Sequence, residues 1–533
     1  MNNIQKQQIS LLNGFETSKE VVIKLKPYIK PFERYLAKAE FDGLTSNNGS
    51  LRRPFSNPAN IEIKCPPSVS LEFLEQRLAY WEKIGTWEFK PTFQVLLESE
   101  KGSDAFNGDF PFDFHRSRKL RYGPHGIHEY RGKFFPQLVK SLINFTGLSQ
   151  GSLVIDPMCG SGTTTCEARS LGMRAIGIDL NPLSVLISDV KTSVFDFDAN
   201  IFKEEINEIL NVVKHPVKKA LCPWEDDEKD YLLRWFSPIA LDELAIILKS
   251  IHKCNNIKTR EFAFVCLSNI IRTVSWQKDS DLRVRKEIKK YNEGMTSVLF
   301  EREMIRNYEK ITNYKQCFNG DHEFYDFLIK EGDSRNAQKI LPEWTGKCDL
   351  LITSPPYAMA LPYIDTDRLS LVVLGLLPRK KHRVREFLMI GNREVTDKQR
   401  EQLWSLYINR RKELPKTVTS LIEKIAIVNK KDTVGFRRRN LPALLGKYFI
   451  DMTDAMRNAR ELMKMNKYAF YVVGNNSTFL NGRRTPIMTN EFLWEIGKKV
   501  GWQQKKVIKM DLLRWDVFSH NNGTAESILW FQK

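Results

Sequence analysis

The feature that most restricts this chain is a short pattern near its first third. An apolar run, Ser152–Ile155, ends at Asp156-Pro157 and leads directly into Met158-Cys159-Gly160-Ser161-Gly162-Thr163-Thr164. A helical stretch over Thr163–Ser170 stops at Gly172, and a second apolar run, Ala175–Ile178, ends at Asp179. Strand, glycine turn, helix, strand is a βαβ unit, which requires a parallel strand pair. Glycines between a strand's end and a helix's start let backbone N–H groups approach a ligand closely. A dinucleotide fingerprint would need a third glycine where Thr165 stands, and no GK[ST] phosphate loop follows. Asp179 lies about 20 residues past the turn, where an acidic side chain can accept both hydroxyls of a ribose. An adenosine-containing ligand fits that pairing.

The rest of the chain extends this unit. Lys133–Phe145 has an amphipathic helical pattern ending near Gly147. Residues 200–325 read as mostly helical, with apolar faces over Ile201–Val213, Leu241–Ile251 and Phe262–Val274. Strand patterns return at Phe324–Lys330, Asp349–Thr353, Tyr468–Val473, Lys505–Met510 and Ser527–Phe531, with a helix at Asn490–Val500. Strands alternating with helices on both sides of a helical insert predict one doubly wound α/β sheet interrupted by an insertion. Residues before 115 carry helical stretches such as Leu71–Ile84, and no motif. At 533 residues the chain exceeds what one core supports, so several lobes are expected. The boundaries drawn are 1–120 (N-terminal lobe), 121–199 and 326–533 (the two parts of the α/β domain) and 200–325 (insertion).

A second motif, Thr353-Ser354-Pro355-Pro356-Tyr357, directly follows the strand ending at Ile352. Two prolines remove two N–H donors and stiffen the turn, leaving free carbonyl acceptors. Tyr357 offers a flat face for a base. An amino group entering such a pocket would meet the Ser354 hydroxyl and the Pro355 carbonyl. The 82 Lys and Arg against 64 Asp and Glu give a formal charge of +18, which attracts polyanions. Two basic runs follow the second motif: Arg379-Lys380-Lys381-His382-Arg383-Val384-Arg385, and Lys430-Lys431 with Arg437-Arg438-Arg439.

Other classes drop out. No apolar run reaches the length of about 18 residues that a membrane span needs, and no membrane partner is expected. The start lacks a basic-then-apolar leader pattern. Eight scattered cysteines contain no CxxC, so reduced thiols and a cytoplasmic location are expected. His125 and His128 have no carboxylate or Cys company of zinc spacing, so no metal is expected.

Taken together, DPMCGSGTT, GIDLNP and TSPPY resemble the cofactor-glycine, ribose-binding and catalytic motifs of the DNA amino-methyltransferases. These enzymes use S-adenosylmethionine to methylate cytosine N4 or adenine N6. Upstream, HEYRGKFFPQLVKSLI resembles the segment closing over the cofactor's methionine part, and GDSR resembles the motif near its adenine. AFYVVGN and ESILWFQK resemble the fold's last strands. The likeness covers about 130–195 and 325–533. It implies a seven-stranded, Rossmann-like class I methyltransferase fold, with S-adenosylmethionine held by Tyr130, Lys133, Phe134, Asp156, Pro157, Cys159, Gly160, Gly162, Thr163, Thr164, Asp179, Leu180, Asn181, Asp333 and Ser334. It assigns catalysis to Ser354, Pro355, Pro356 and Tyr357. Ser before PPY is more frequent in cytosine N4 enzymes, and Asp or Asn in adenine N6 enzymes. The implied partner is duplex DNA, contacted by Arg379, Lys380, Lys381, Arg383, Arg385, Arg437, Arg438 and Arg439. A restriction endonuclease acting on the same site is a further implied partner; the oligomeric state is left open. Target recognition is expected from the insertion together with the basic segment.

Overall fold

The computed structural model describes residues 19–27, 29–45, 50–51, 61–65, 69–85, 90–99, 119–130, 132, 134–215, 222–278, 285–318, 323–358, 362–430, 435–510 and 526–533. Its first strands are β1 (Lys19–Leu25), β2 (Ser50–Leu51), β3 (Ile61–Cys65), β4 (Trp81–Gly85) and β5 (Lys90–Pro91). They form an antiparallel sheet in the order β2-β3-β1-β4-β5. The main sheet follows: β6 (Leu153–Asp156), β7 (Arg174–Asp179), β8 (Phe327–Glu331), β9 (Cys348–Thr353) and β10 (Met463–Gly474). After a hairpin of β11 (Asn476–Leu480) and β12 (Arg483–Ile487), β13 (Gln503–Met510) and β14 (Glu526–Gln532) complete it.

The seven strands run in the order β13-β14-β10-β9-β6-β7-β8. Only β14 is antiparallel to its neighbours. The chain winds outward from β6 through β7 to β8, then returns to start the other half at β9. Strand order therefore reverses between β6 and β9, and a ligand crevice belongs at the carboxyl ends of such a pair. The expected doubly wound α/β fold is the one observed.

Side chains of the central strands alternate between two cores, as a pleated strand buried on both faces must. Val154, Leu350, Ile352, Phe470 and Val472 face one core, shared with the helices Pro31–Leu44 and Pro136–Phe145. Ile155, Leu351, Ala469, Tyr471 and Val473 face the other, filled by the long helix Phe436–Leu462. The described residues of the first lobe thus pack on the main sheet through the helix Pro31–Leu44. The inserted helices (Ala199–Lys214, Pro238–Lys253, Ile257–Val274 and Met295–Gln316) share a third core with Pro182–Thr192 and Tyr363–Val373. The insert leans on the two helices that leave the ligand end of the sheet.

Two local expectations need correction. Leu71–Ile84 is not one helix: it stops at Arg77, and β4 begins at Trp81. The buried Glu40 carboxylate accepts the amides of Ala79 and Tyr80 at 3.1–3.2 Å, capturing backbone that would otherwise continue the helix. The second helix starts at Pro136, not Lys133, because proline suits the first helical position. No helix among the described residues is long and apolar enough to cross a membrane.

Candidate active site

The glycine turn is shaped by close packing. Gly162 has φ +73°, and a Cβ there would lie 2.4 Å from Ser188 Oγ and 2.8 Å from Ser188 Cα. Only glycine permits both the left-handed backbone and this approach of Thr163–Ser170 to Pro182–Thr192. At Gly160 a Cβ would stand 3.2 Å from the Tyr130 ring, so its bare Cα leaves room along the cleft.

Asp179 ties two loops together. One carboxylate oxygen accepts the Gly160 amide at 2.9 Å, and the other accepts the Asn181 amide at 2.8 Å. Each oxygen keeps a further lone pair for a hydroxyl donor. Burial raises the acid to about 6, opposed by the amides of Asn181, Gly160 and Leu180. Asp156, fully buried behind the turn, is also raised to about 6 by burial, against the pull of the Thr353 and Thr164 hydroxyls and the Met158 amide. Both acids are therefore ionised at neutral pH, and the turn is a site of negative charge.

Asn181 caps the helix Pro182–Thr192 through the Leu183 amide and donates to Asp367 at 2.7 Å. The Tyr130 hydroxyl accepts from Ser184 at 3.0 Å. Asp333 is gripped by Arg335, which donates through Nε at 2.9 and 3.0 Å and through a terminal nitrogen at 2.5 Å. Arg335 also reaches Asp451 at 2.8 Å and the Leu388 carbonyl at 2.9 Å, fixing the floor beside Met389 and Ile390.

The second motif leaves β9 next to the glycine turn, which leaves β6. The Thr164 hydroxyl donates to the Ile352 carbonyl at 3.3 Å, stitching them together. The Ser354 hydroxyl donates to the Val472 carbonyl on β10 at 3.1 Å, and Tyr448 donates to the Pro356 carbonyl at 3.0 Å. The Tyr357 ring rests on Gly474, where a Cβ would come within 2.6 Å, and its hydroxyl donates to Glu526 at 2.5 Å. Gly474 and Glu526 are paired in the β10–β14 ladder, so the sheet itself seats this ring.

The two motifs share one cleft. Pro157, Cys159, Gly160, Thr163, Asp179 and Leu180 line it from one side, and Ser354 and Pro356 from the other. Tyr130, Phe134, Asp333 and Ser334 complete it. Sequence reasoning missed Tyr363, Met389 and Ile390, which also line it; their segments carry no glycine or proline signature. Lys133 lies outside the described residues.

The basic residues divide. Lys380, Lys381 and Arg383 are exposed, as are Arg437, Arg438 and Arg439 in the first turn of the long helix. Arg379 lies over the Tyr231 ring at 5.0 Å. Arg385 is turned to the cofactor side: it donates to the Leu180 carbonyl at 2.6 Å and pairs with Glu331 at 2.5 Å. That placement makes it a brace of the loop after β7. His125 meets Glu167 at 2.7 Å and His128 meets Ser268 at 3.1 Å.

The donor set fits S-adenosylmethionine: Asp179 can accept from a ribose, Gly160 offers a cradle without Cβ, and Asp179 and Asp333 line the cleft beside an apolar wall. Fold and site define an S-adenosylmethionine-dependent methyltransferase. Residues 52–188 match the family described as DNA methylase, reaching upstream into the first lobe and ending in the helix after β7. The chain is 24% identical over 418 residues to the Type II methyltransferase M.MjaII of Methanocaldococcus jannaschii, covering 63% of this chain and 76% of the relative. It is 21% identical over 387 residues to M.MvaI of Kocuria varians (69% and 80% covered) and 23% over 372 residues to M.BsoBI of Geobacillus stearothermophilus (62% and 69%). The chain is thus similar along most of its length to Type II DNA methyltransferases, and its 52–188 segment matches the DNA methylase family.

Proposed function

We propose that the chain transfers a methyl group to the exocyclic N4 of cytosine in duplex DNA, as the modification enzyme of a restriction–modification system. The observation that carries this reading is the state of Ser354. Its hydroxyl hydrogen is committed to the Val472 carbonyl. The oxygen therefore presents only lone pairs to an incoming group, and the prolines beside it add no donor. A pocket of acceptors suits an NH₂ group. Ser before PPY favours cytosine over adenine.

S-adenosylmethionine, when bound, supplies an electrophilic methyl group on a sulfonium centre. The chain's residues do the rest. Asp179 accepts from the ribose, Asp333 and Ser334 bound the adenine end, and Tyr130 and Phe134 bound the methionine end. Ser354 Oγ and the Pro355 carbonyl accept the amino protons and aim the nitrogen's lone pair along the transfer line, at the near-attack distance of about 3–3.5 Å. The methyl–sulfur bond breaks as the N–CH₃ bond forms, and the proton the methylated amino group then sheds passes to solvent, with these two neutral oxygens holding its N–H by hydrogen bonds only. Because the amino group of a paired base lies within the stack, the base is extruded and stacks on Tyr357.

The test is transfer of labelled methyl groups to genomic DNA, with the modified nucleoside identified by mass spectrometry. N4-methylcytosine is expected. N6-methyladenine would retain the chemistry and overturn the base assignment. Preference for tRNA over duplex DNA, or absence of cofactor binding, would overturn the reading.

A further inference from the structure

The helical insertion matches none of the motifs, yet it meets the segment after the catalytic turn in one groove. From the insertion come Tyr231, Arg234, Trp235 and Lys286; from the other side come Arg368, Arg379, Lys380 and Arg383. Six of these eight residues are cations, two are aromatic, and none is acidic.

Two of the cations are held by rings. The Arg368 guanidinium lies 4.5 Å from the Trp235 ring centre and that of Arg379 lies 5.0 Å from the Tyr231 ring centre. Stacking fixes a guanidinium's plane and leaves its edge N–H groups pointing outward, so a bidentate contact costs less ordering. Arg368 spends one nitrogen on Asp365 at 3.1 Å, while Arg234, Lys380 and Arg383 make no ion pair with any acid among the described residues. Like charges gathered this way repel one another, and a chain of phosphates relieves the repulsion while releasing its own counterions.

The groove also leads somewhere. Arg368, Arg379 and Arg383 also line a second, adjoining cleft, together with Pro362 and the acids Asp365, Glu386 and Glu394. Through these three shared arginines the groove adjoins the segment that follows Ser354–Tyr357 in the chain.

We propose that this groove seats the sugar–phosphate backbone of duplex DNA beside the extruded base, with the insertion supplying one wall. The proposal rests on the reading of the chain as a DNA methyltransferase. It assigns binding to Arg234, Tyr231, Trp235 and Lys286, which no motif marks.

The test compares the full-length protein with two double variants, Arg234→Ala/Lys286→Ala on the insertion wall and Lys380→Ala/Arg383→Ala on the opposite wall. Duplex binding is followed by fluorescence anisotropy across a salt series, with cofactor affinity by calorimetry as the check on folding. Each pair should flatten the slope of log K against log salt by about two, one for each phosphate no longer neutralised, with cofactor affinity unchanged. An unaltered slope and affinity in Arg234→Ala/Lys286→Ala would overturn the groove. So would groove-dependent binding of a structured RNA with duplex DNA left unbound. Methyl transfer to DNA, assayed on the same preparations, separates the two levels. Transfer by the parent with variants indistinguishable from it sinks the groove and keeps the function. Absence of transfer by the parent, with the slope change present, sinks the function and keeps the groove.

Discussion

The Ser354 hydroxyl donates to the Val472 carbonyl at 3.1 Å, joining the catalytic turn after β9 to the neighbouring strand β10. This single bond decides which way the serine oxygen's lone pairs face. On the proposed mechanism, Ser354→Ala removes a transition-state acceptor and should cost about 3 kcal/mol, or roughly a hundredfold in kcat. Cofactor affinity should stay within about twofold. Single-turnover methyl transfer and cofactor titration check both; an equal loss in cofactor affinity would remove Ser354 from the chemistry.

Tyr357 is held at both ends, by Gly474 under its ring and Glu526 at its hydroxyl. In the proposed mechanism the ring is the part that stacks on the base, and the hydroxyl only anchors it. Tyr357→Phe should therefore retain most turnover, while Tyr357→Ala loses it by two orders of magnitude or about 3 kcal/mol. Steady-state rates on a duplex carrying the target site distinguish them, and similar losses in both variants would assign the effect to the anchor.

Asp179 predicts a pH dependence. Its carboxyl is raised to about 6 in the free protein, chiefly by burial. Ribose hydroxyls donate to the charged form, so cofactor binding lowers this value and releases a proton. Affinity should be full at neutral pH and above and weaken as pH falls through about 6, with Asp179→Asn giving weak, pH-flat binding. Calorimetry in buffers of different ionisation enthalpy reads the proton directly. For the unliganded fold the sign is opposite to that of a paired carboxylate. Between the ordinary aspartate value of 3.8 and about 6 the folded state binds more protons than the unfolded one, so this group's contribution to stability falls as pH rises through that window.

Gly162→Ala forces a side chain into a left-handed residue and onto Ser188. Strain and overlap together should cost about 2–4 kcal/mol. Because Ser188 Cα itself stands 2.8 Å from the added carbon, Ser188→Ala should fail to rescue it. Thermal unfolding with and without cofactor checks this; full rescue would locate the clash at the hydroxyl alone.

Arg335 holds Asp333, Asp451 and the Leu388 carbonyl together under the cleft. Arg335→Ala leaves Asp333 without its cation, while Asp451 keeps Lys447, and should raise the KM for S-adenosylmethionine about tenfold, about 1.4 kcal/mol, with kcat little changed. A fall in kcat at unchanged KM would place Arg335 in the transfer step instead.

Much of the site could be read from the chain because its chemistry is local. Gly160, Gly162, Asp179 and the Ser354–Tyr357 turn declare themselves through residue types that few other contexts require. Arg385 looked like one more member of a basic run, and only its contact with the Leu180 carbonyl shows it facing the cofactor side. Leu71–Ile84 had a helical pattern throughout, and Glu40, nearly forty positions upstream, breaks it by capturing the Ala79 and Tyr80 amides. Met389, Ile390 and Tyr363 reach the cleft from segments whose apolar residues look like any other core.

Sequence alone determined the βαβ unit, the acid at the end of β7 and the rigid acceptor turn after β9, since backbone conformation and hydrogen-bonding capacity are properties of a few adjacent residues. Only the tertiary structure decided that the two turns open into the same cleft, that Ser354 points its hydrogen at Val472, and that the insertion faces the basic segment. Those outcomes depend on strand order and on which helices share a core, and both are set by burial summed over residues hundreds of positions apart.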